Sequence, residues 1–340
     1  DIFSKRQCLS LLSFAAAIRD AEKEMRQCDC VADRSVAIAT YLGAMVDKLA
    51  DFNSVQCTWN YTGGRGVRNS FTRQTLGMTW DFAETNPFNP AGASWVAIVE
   101  DIPAAIEMLA LEGTTPPHVN RGSATTMSCP DQSLDAVMTD PPYYDNVPYA
   151  DISDFFYVWL RRTIGHLHQE HFSGQGTPKK PEAVADASRH GGDRVAATKA
   201  YEDMMRQAFR EASRVLKPGA TMAVVYAHKT TLGWSTLVDA LRGSGFEVTE
   251  AWPLDTEMKA RMRAMESAAL ASSITLVARK RARAAGVGNY EDHVQPHLQQ
   301  IVRERVETLW DMGIAGADLL IACVGAGLRA FTKYEKVEYA

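Results

Sequence analysis

No stretch of the chain approaches the roughly 18 consecutive apolar residues that a membrane-spanning helix needs, and the first residues carry no secretory-leader pattern. Cysteine is sparse and scattered. Cys8, Cys28, Cys30, Cys57, Cys129 and Cys323 include one close pair and no pair of C-x-x-C motifs, which argues against a disulfide framework and against a zinc site. Reduced thiols in a cytoplasmic protein are the expectation. Basic residues are not in excess either: 36 Lys and Arg stand against 41 Asp and Glu, a net charge of −5, so any nucleic-acid contact must come from local basic patches. The remaining composition, 46% hydrophobic and 23% charged over 340 residues, fits one large α/β domain with additions, or two domains. The chain begins at Asp1 and enters a helical pattern almost at once, which points to a fragment.

The most informative stretch is Asp135 to Tyr149, DAVMTDPPYYDNVPY. Ala136, Val137 and Met138 form a short apolar run stopped by a double proline, which predicts a buried strand ending at Asp140. In open α/β sheets the carboxyl ends of strands are where ligands bind. Pro141 and Pro142 fix φ and lack an N–H, so the turn is stiff and its carbonyls can accept hydrogen bonds. A carboxylate, a rigid carbonyl and two aromatics, Tyr143 and Tyr144, are thereby presented together. The four letters D-P-P-Y alone also read as a plain turn after a strand.

Around this stretch the pattern alternates between helices and strands. Ser4 is a plausible N-cap for a helix with Leu9, Leu12, Phe14, Ala17 and Ile18 on one face, and a second helix follows through Val36 to Leu49. Between Asn53 and Thr79 periodicity fades, and the stretch combines Gly63, Gly64 and Gly66 with Arg65, Arg68 and Arg73, a composition able to follow a phosphate backbone or to form a solvated loop. A helix is predicted over 94–111, interrupted or restarted at Pro103, and a short strand over His118–Ala124 with a Gly-Ser turn at its end. Ile152, Phe155, Phe156, Trp159 and Leu160 give an amphipathic helix capped by Asp151 or Ser153. His166, His168 and His171 invite a metal reading, but no carboxylate or cysteine partner lies at ligand spacing, and no metal is expected. Residues 172–195 read as a mobile loop, with Lys179 and Lys180 as phosphate contacts. Thereafter come a helix ending at Lys217-Pro218-Gly219, a buried strand over Ala220–His228, a helix over Leu237–Leu241, a strand from Phe246, a charged helical piece over 258–270 and a strand from Ser272, the last strands forming a hairpin. Lys280 to Gly286 is a basic linker to a helical C-terminus, where GAGL near Gly325 suits close helix packing.

The D-P-P-Y turn resembles the catalytic motif of amino-methyltransferases, which move a methyl group from S-adenosylmethionine to an exocyclic nitrogen of adenine, cytosine or guanine. The resemblance implies that Asp140 and Pro141 accept hydrogen bonds from the amine, localising a lone pair otherwise delocalised into the ring, while positioning contributes roughly 7–11 kcal/mol. It further implies that Pro142 stiffens the turn, that Tyr143 stacks on an extruded base, and that Tyr144, Asp145 and Asn146 shape the loop on the nucleic-acid side. RVLKPGATMAVVYAH resembles the helix, turn and strand that follow the catalytic strand in many S-adenosylmethionine-dependent methyltransferases. In that fold the preceding strand end meets the cofactor's adenine, here Gly122, Ser123 and Ala124, with Asp140 also on the cofactor side.

FSKRQCLSLLSF, RQTLGMTWDFAETNPF, TDPPYYDNVPYADISDFFYVWLRR and WPLDTEM with ALASSITLVARK together resemble the C-terminal half of a family of large bacterial adenine-specific DNA methylases that carry a zinc-ribbon-like insertion and accompany anti-phage gene clusters. The resemblance implies an N-terminally incomplete, Rossmann-like methyltransferase sheet with helical additions, acting on the N6 amine of adenine in DNA. Methylation of cytosine N4 or of a guanine amine in RNA uses the same motif, and a non-catalytic DNA-binding or scaffold subunit of a defence complex is the alternative of another class. The family's glycine-rich cofactor loop is not matched, so the upstream half of the same protein is an expected partner, along with DNA and other defence proteins. Residues 1–112 would then be a mainly helical segment with a basic loop for target recognition, 113–280 the catalytic core, and 281–340 a helical extension.

Overall fold

The computed structural model describes residues 1–28, 30–60, 66–72, 75–90, 92–110, 115, 117–143, 147–226, 231–254, 273–281, 286–313 and 317–339. They group into two compact units, the first made of Asp1–His118 and Pro148–Glu182, the second of Val119–Val147 and Ala183–Ala340. The segment after the central turn, expected to continue the catalytic core, therefore packs with the N-terminal helices.

In the first unit, Ser4 caps α1 (Lys5–Gln27) as its sequence suggests. The Ser4 hydroxyl accepts from the Gln7 amide at 3.2 Å while Gln7 Oε1 accepts from the Ser4 amide at 2.8 Å, a reciprocal capping box. α1 packs on α2 (Ala32–Asp51), and a two-residue hairpin, β1 (Thr58–Trp59) with β2 (Val67–Arg68), follows. Ser94 caps α3 (Trp95–Leu109), which runs through Pro103 without the expected interruption. A proline in this position removes one backbone hydrogen bond, and Pro103 lies on the exposed side where water can replace it. α4 (Tyr149–Ile152) and α5 (Asp154–Ile164) complete the unit. Leu11, Ile18, Val46, Leu49, Ile98, Phe155, Trp159 and Ile164 share one core, with Phe3 edge-on to Trp159 at 5.2 Å.

Ser153 stands at the N-cap of α5 as one expectation had it, but its hydroxyl donates back to the Ala150 carbonyl rather than capping the helix. Asp154 receives the Thr177 amide (2.7 Å), the Thr177 hydroxyl (2.8 Å) and the Lys179 ammonium. Burial pushes the Asp154 carboxyl up, but these hydrogen bonds outweigh it and hold the group below the usual carboxylate range. Lys179, expected to meet phosphate, is thus engaged in an ion pair. With the Tyr157 hydroxyl bonded to the Gly174 carbonyl at 2.8 Å, the segment 172–182 is pinned rather than loose. His168 Nε2 lies 2.9 Å from the Thr40 hydroxyl, and His166 faces Glu22 at 3.7 Å.

The second unit is built on a mixed sheet. β3 (Leu134–Thr139) runs parallel to β4 (Leu216–Tyr226), β4 pairs antiparallel with β6 (Ser273–Lys280), and β6 antiparallel with β5 (Phe246–Leu254), giving the order β3-β4-β6-β5. The expected closing hairpin is therefore present, and the unit is Rossmann-like α/β. α6 (Arg194–Val215) and α7 (Thr231–Gly243) cover the face formed by Met222, Val224, Tyr226, Ile274, Leu276 and Ala278. On the alternate positions Thr221, Ala223, Val225 and Val277 are only half-buried.

Four expectations fail here. β3, expected to be a buried strand, exposes Ala136 and Met138 and only half-buries Val137, because it is the outer strand of the described sheet. His118–Ala124 forms no strand: Ser123 accepts the Thr125 amide on its hydroxyl (3.2 Å) and the Thr126 amide on its carbonyl (3.1 Å), closing a turn that leaves one isolated bridge. α6 gives way directly to β4 at Leu216, and Lys217-Pro218-Gly219 lies within the strand, where Gly219 (φ +74°) accommodates the register shift against β3. The C-terminal part is not wholly helical, because β7 (Val287–Asn289) and β8 (Lys336–Glu338) pair in parallel around α8 (Gln295–Asp311) and α9 (Ala317–Thr332). The predicted helix over 258–270 lies outside the described residues.

Small residues let α9 approach the sheet. A Cβ placed on Gly325 would lie 2.0 Å from Ala251 Cβ, closer than two carbons can come. Gly325→Ala is expected to destabilise the protein by about 1–3 kcal/mol through overpacking; an unchanged urea midpoint would show that this approach does not hold α9. In the first unit, burial without a hydrogen-bond partner among the described residues for Oδ1 raises the Asp47 carboxyl from 3.8 to about 8. A raised folded-state value means the neutral carboxyl's contribution is complete below the ordinary value and is lost as pH rises through about 8. Asp47→Asn should therefore gain melting temperature over wild type progressively between those limits; parallel melting curves against pH would refute the burial.

Candidate active site

Pro141 ends β3 because it can donate no ladder hydrogen bond, and it is buried while Asp140 before it is exposed. Asp140 so stands at the carboxyl end of a strand whose parallel neighbour, β4, ends beside it at Tyr226: Thr139 pairs with Val224, two residues before that end. Such a pair of parallel strand ends is the usual ligand edge of an α/β sheet.

Two tyrosines fix the turn. The Tyr143 hydroxyl donates to Asp140 Oδ1 at 2.7 Å, folding the D-P-P-Y turn back on its own carboxylate. The Tyr201 hydroxyl, from α6, donates to the Pro142 carbonyl at 2.7 Å. Tyr201 is fully buried, so its direction is set by core packing and the carbonyl it holds cannot swing. The half-buried Tyr143 ring meets Tyr226 edge-on at 5.4 Å, and Tyr226 meets Trp234 of α7 in the same manner at 5.2 Å. Three aromatics from three elements therefore line the region behind Asp140.

The entry to β3 is clamped as well. Glu211 of α6 accepts the Met127 amide at 3.0 Å, and Arg214 donates to the Met127 and Cys129 carbonyls at 2.9 and 3.0 Å while pairing with Glu211. Arg214 and the Met127 amide hold the Glu211 carboxyl below the usual range, and the Arg214 guanidinium is correspondingly raised. Both charges are thus fixed.

Of the residues singled out in sequence, the structure brings Asp140, Pro141, Pro142 and Tyr143 together. Ser123 and Ala124 belong to the tight turn Ser123–Thr126 in the same unit, and Gly122 lies just before it with open space where a side chain would be. Arg68 lies in β2 of the other unit, its Nε donating to Asn60 Oδ1 at 3.3 Å. Tyr144, Asp145, Asn146, Arg65 and Arg73 lie outside the described residues. Sequence reasoning missed Tyr201, Tyr226, Glu211 and Arg214. Tyr226 could have been found as an aromatic ending a strongly apolar strand; the other three sit in an ordinary amphipathic helix.

No protein-family profile and no curated protein matches the chain. Among solved structures, a Thermus thermophilus protein described as a DNA modification methylase matches at 17% identity and a TM-score of 0.26, over 54% of this chain and 58% of that one. A structure of that Thermus protein with S-adenosyl-L-methionine matches at 14% and 0.25, over 63% and 84%. A Methanosarcina mazei S-adenosylmethionine-dependent methyltransferase matches at 12% and 0.23, over 48% and 66%. The [4+2]-cyclase SpnF matches at 16% and 0.26, over 56% and 63%. Likeness at this distance assigns no activity.

Tyr201→Phe removes the hydroxyl that donates to the Pro142 carbonyl while keeping the ring. Because that carbonyl sits at an exposed residue and can be rehydrated, the stability loss should be about 0.5–1.5 kcal/mol. A loss well beyond this in chemical denaturation would mean that the hydroxyl supports more of the fold than one turn.

Proposed function

We propose that the second unit carries the transfer of a methyl group from S-adenosylmethionine to the N6 amino group of adenine in DNA. The observation that supports this reading most is the Asp140 carboxylate at the ligand edge, with one oxygen held by the Tyr143 hydroxyl inside a turn that Tyr201 makes rigid.

An exocyclic amine attached to an aromatic ring is a weak nucleophile. Two acceptors on one side of the nitrogen favour a pyramidal geometry, and Asp140 Oδ2 with the Pro141 carbonyl are the acceptors proposed here. Pro142 keeps the carbonyls in place. Tyr143 contributes twice, by orienting the carboxylate and by offering the accessible part of its ring to an extruded base. Tyr144 and Asn146 are proposed for the nucleic-acid side of the same loop, and Arg65, Arg68 and Arg73 for phosphate contacts. S-adenosylmethionine supplies the electrophilic methyl group. The Gly122–Ala124 turn fits one end of such a ligand, since a chain without a Cβ at Gly122 permits close approach.

The described residues supply only part of a cofactor pocket. β3 is the outer strand of the described sheet, pairing with β4 alone, and it exposes Ala136 and Met138, the latter by 83%. Parallel strands normally lie buried on both sides, so the expected partner is a strand from an upstream half of the same protein that pairs along β3 and brings the glycine-rich loop. The anti-phage setting and zinc-ribbon-like insertion rest on the family resemblance only. The absent loop equally favours a scaffold subunit of a defence system, which would bind DNA without cofactor.

Calorimetric titration of S-adenosylmethionine into this chain, and into the chain extended through its upstream coding sequence, separates the two. Binding by the extended chain supports the enzyme, and binding by neither supports the scaffold. In the active form, Asp140→Ala is expected to lower methyl transfer at least about 100-fold, while its exposed position keeps the stability change within about 1 kcal/mol. Wild-type turnover in that variant would refute the role given to Asp140.

A further inference from the structure

The first unit contains a surface groove of about 380 Å³ between α1 and the end of α5 that the site above does not use. Leu12, Ala15 and Ala16 form its floor, and Arg19, Asp20 and Lys23 of α1 with Arg162 of α5 form its walls. Arg19 and Lys23 are four residues apart and so stand on one side of α1. Arg162 faces them from the last turn of α5, where its Nη1 donates to the Val158 carbonyl at 3.1 Å and its guanidinium lies 6.0 Å from the centre of the Trp159 ring. Three cations thus surround a floor of small and apolar side chains, against a single carboxylate.

That carboxylate does not cancel them. Asp20 meets Lys23 at 3.3 Å with both side chains more than 60% exposed, and such pairs are held by less than about 1 kcal/mol. Lys23 can therefore exchange Asp20 for a stronger anion. Arg26, one turn further along α1, is offset by the buried Glu22 that it pairs with and that also faces His166. The groove lining itself, Arg19, Lys23 and Arg162 against Asp20, is positive in a chain whose net charge is −5.

We propose that this groove is a track for the sugar-phosphate backbone of a DNA duplex, with Arg19, Lys23 and Arg162 each neutralising one phosphate and the Leu12–Ala16 floor packing against deoxyribose. Two guanidinium forks and a point-charge ammonium match phosphate oxygens. The floor carries no hydrogen-bonding side chain, so the groove positions a duplex without reading its bases. The proposal deepens the reading above by giving the DNA a second foothold, and it shares only the DNA with that reading.

Equilibrium binding of a fluorescein-labelled duplex to the full chain, followed by anisotropy across a range of KCl concentrations, tests the groove directly. For R19Q/K23Q/R162Q the slope of log K against log salt should become shallower by about 2–3 relative to wild type, at about 0.9 for each phosphate no longer neutralised. R19Q/K23Q, which leaves Arg162 beside Trp159, should lose about 2 and guards against a folding defect in the triple variant. An unchanged slope, or a wild-type chain that does not bind the duplex, overturns the proposal. So does poly-glutamate competing as strongly as DNA, which would make the occupant an acidic polypeptide. Methyl transfer by the active form with an unchanged slope would sink the groove alone. Slope loss together with an extended chain that neither binds S-adenosylmethionine nor transfers methyl would sink the enzymatic reading and leave the groove standing.

Discussion

The parallel pairing of β3 along β4 is the constraint on which the candidate site depends. It aligns Thr139 with Val224 and so carries Asp140 to the sheet edge where Tyr226 ends the neighbouring strand. A slip of one residue would turn every side chain of β3 to the opposite face, placing Met138 in the core and Val137 outside. The register is held at the entry to the strand. The Glu211–Arg214 pair fixes the segment entering β3, and Gly219 absorbs the extra residues of β4 in a bulge. Beyond the strand, Tyr201 fixes the Pro142 carbonyl from a position wholly inside the core. The turn is thereby attached to the most buried part of the unit although Asp140 itself is exposed.

Local signals in the sequence translated into structure where one residue type sufficed. Ser4 capped its helix with Gln7 three residues on, and Asp140 followed an apolar run broken by two prolines. β4, β5 and β6 appeared where branched and aromatic residues clustered. The failures share a cause. Asp154 lies about two dozen positions from Thr177 and Lys179 and meets them only because the chain after α5 folds back, so no local rule could foresee that it would pin the segment 172–182. The turn expected at Ser123 formed, but the strand expected to lead into it did not.

The partners of Asp140 show the same division from the functional side. The motif itself was legible because consecutive residues carry it. Tyr201, Glu211 and Arg214 were not, because on α6 they look like any amphipathic positions and their roles arise from where the helix lies against β3 and β4. Tyr201 was legible only as a core residue. Its ring is indeed buried, and its hydroxyl meets the turn; a phenylalanine would have satisfied the hydrophobic pattern equally well.

Rigidity and exposure are distributed unevenly across the second unit, and the distribution argues for what the sheet is built to do. The face toward α6 and α7 is filled, while the alternate face and the outer edge of β3 keep half-buried and exposed apolar groups. A strand with open backbone groups invites further pairing, and along β3 only Asp135 carries a charge while Met138 is exposed by 83%. Asp140 lies at the end of that same strand. A carboxylate fixed by a tyrosine hydroxyl on a rigid turn thus stands at the end of an edge that another strand can still complete.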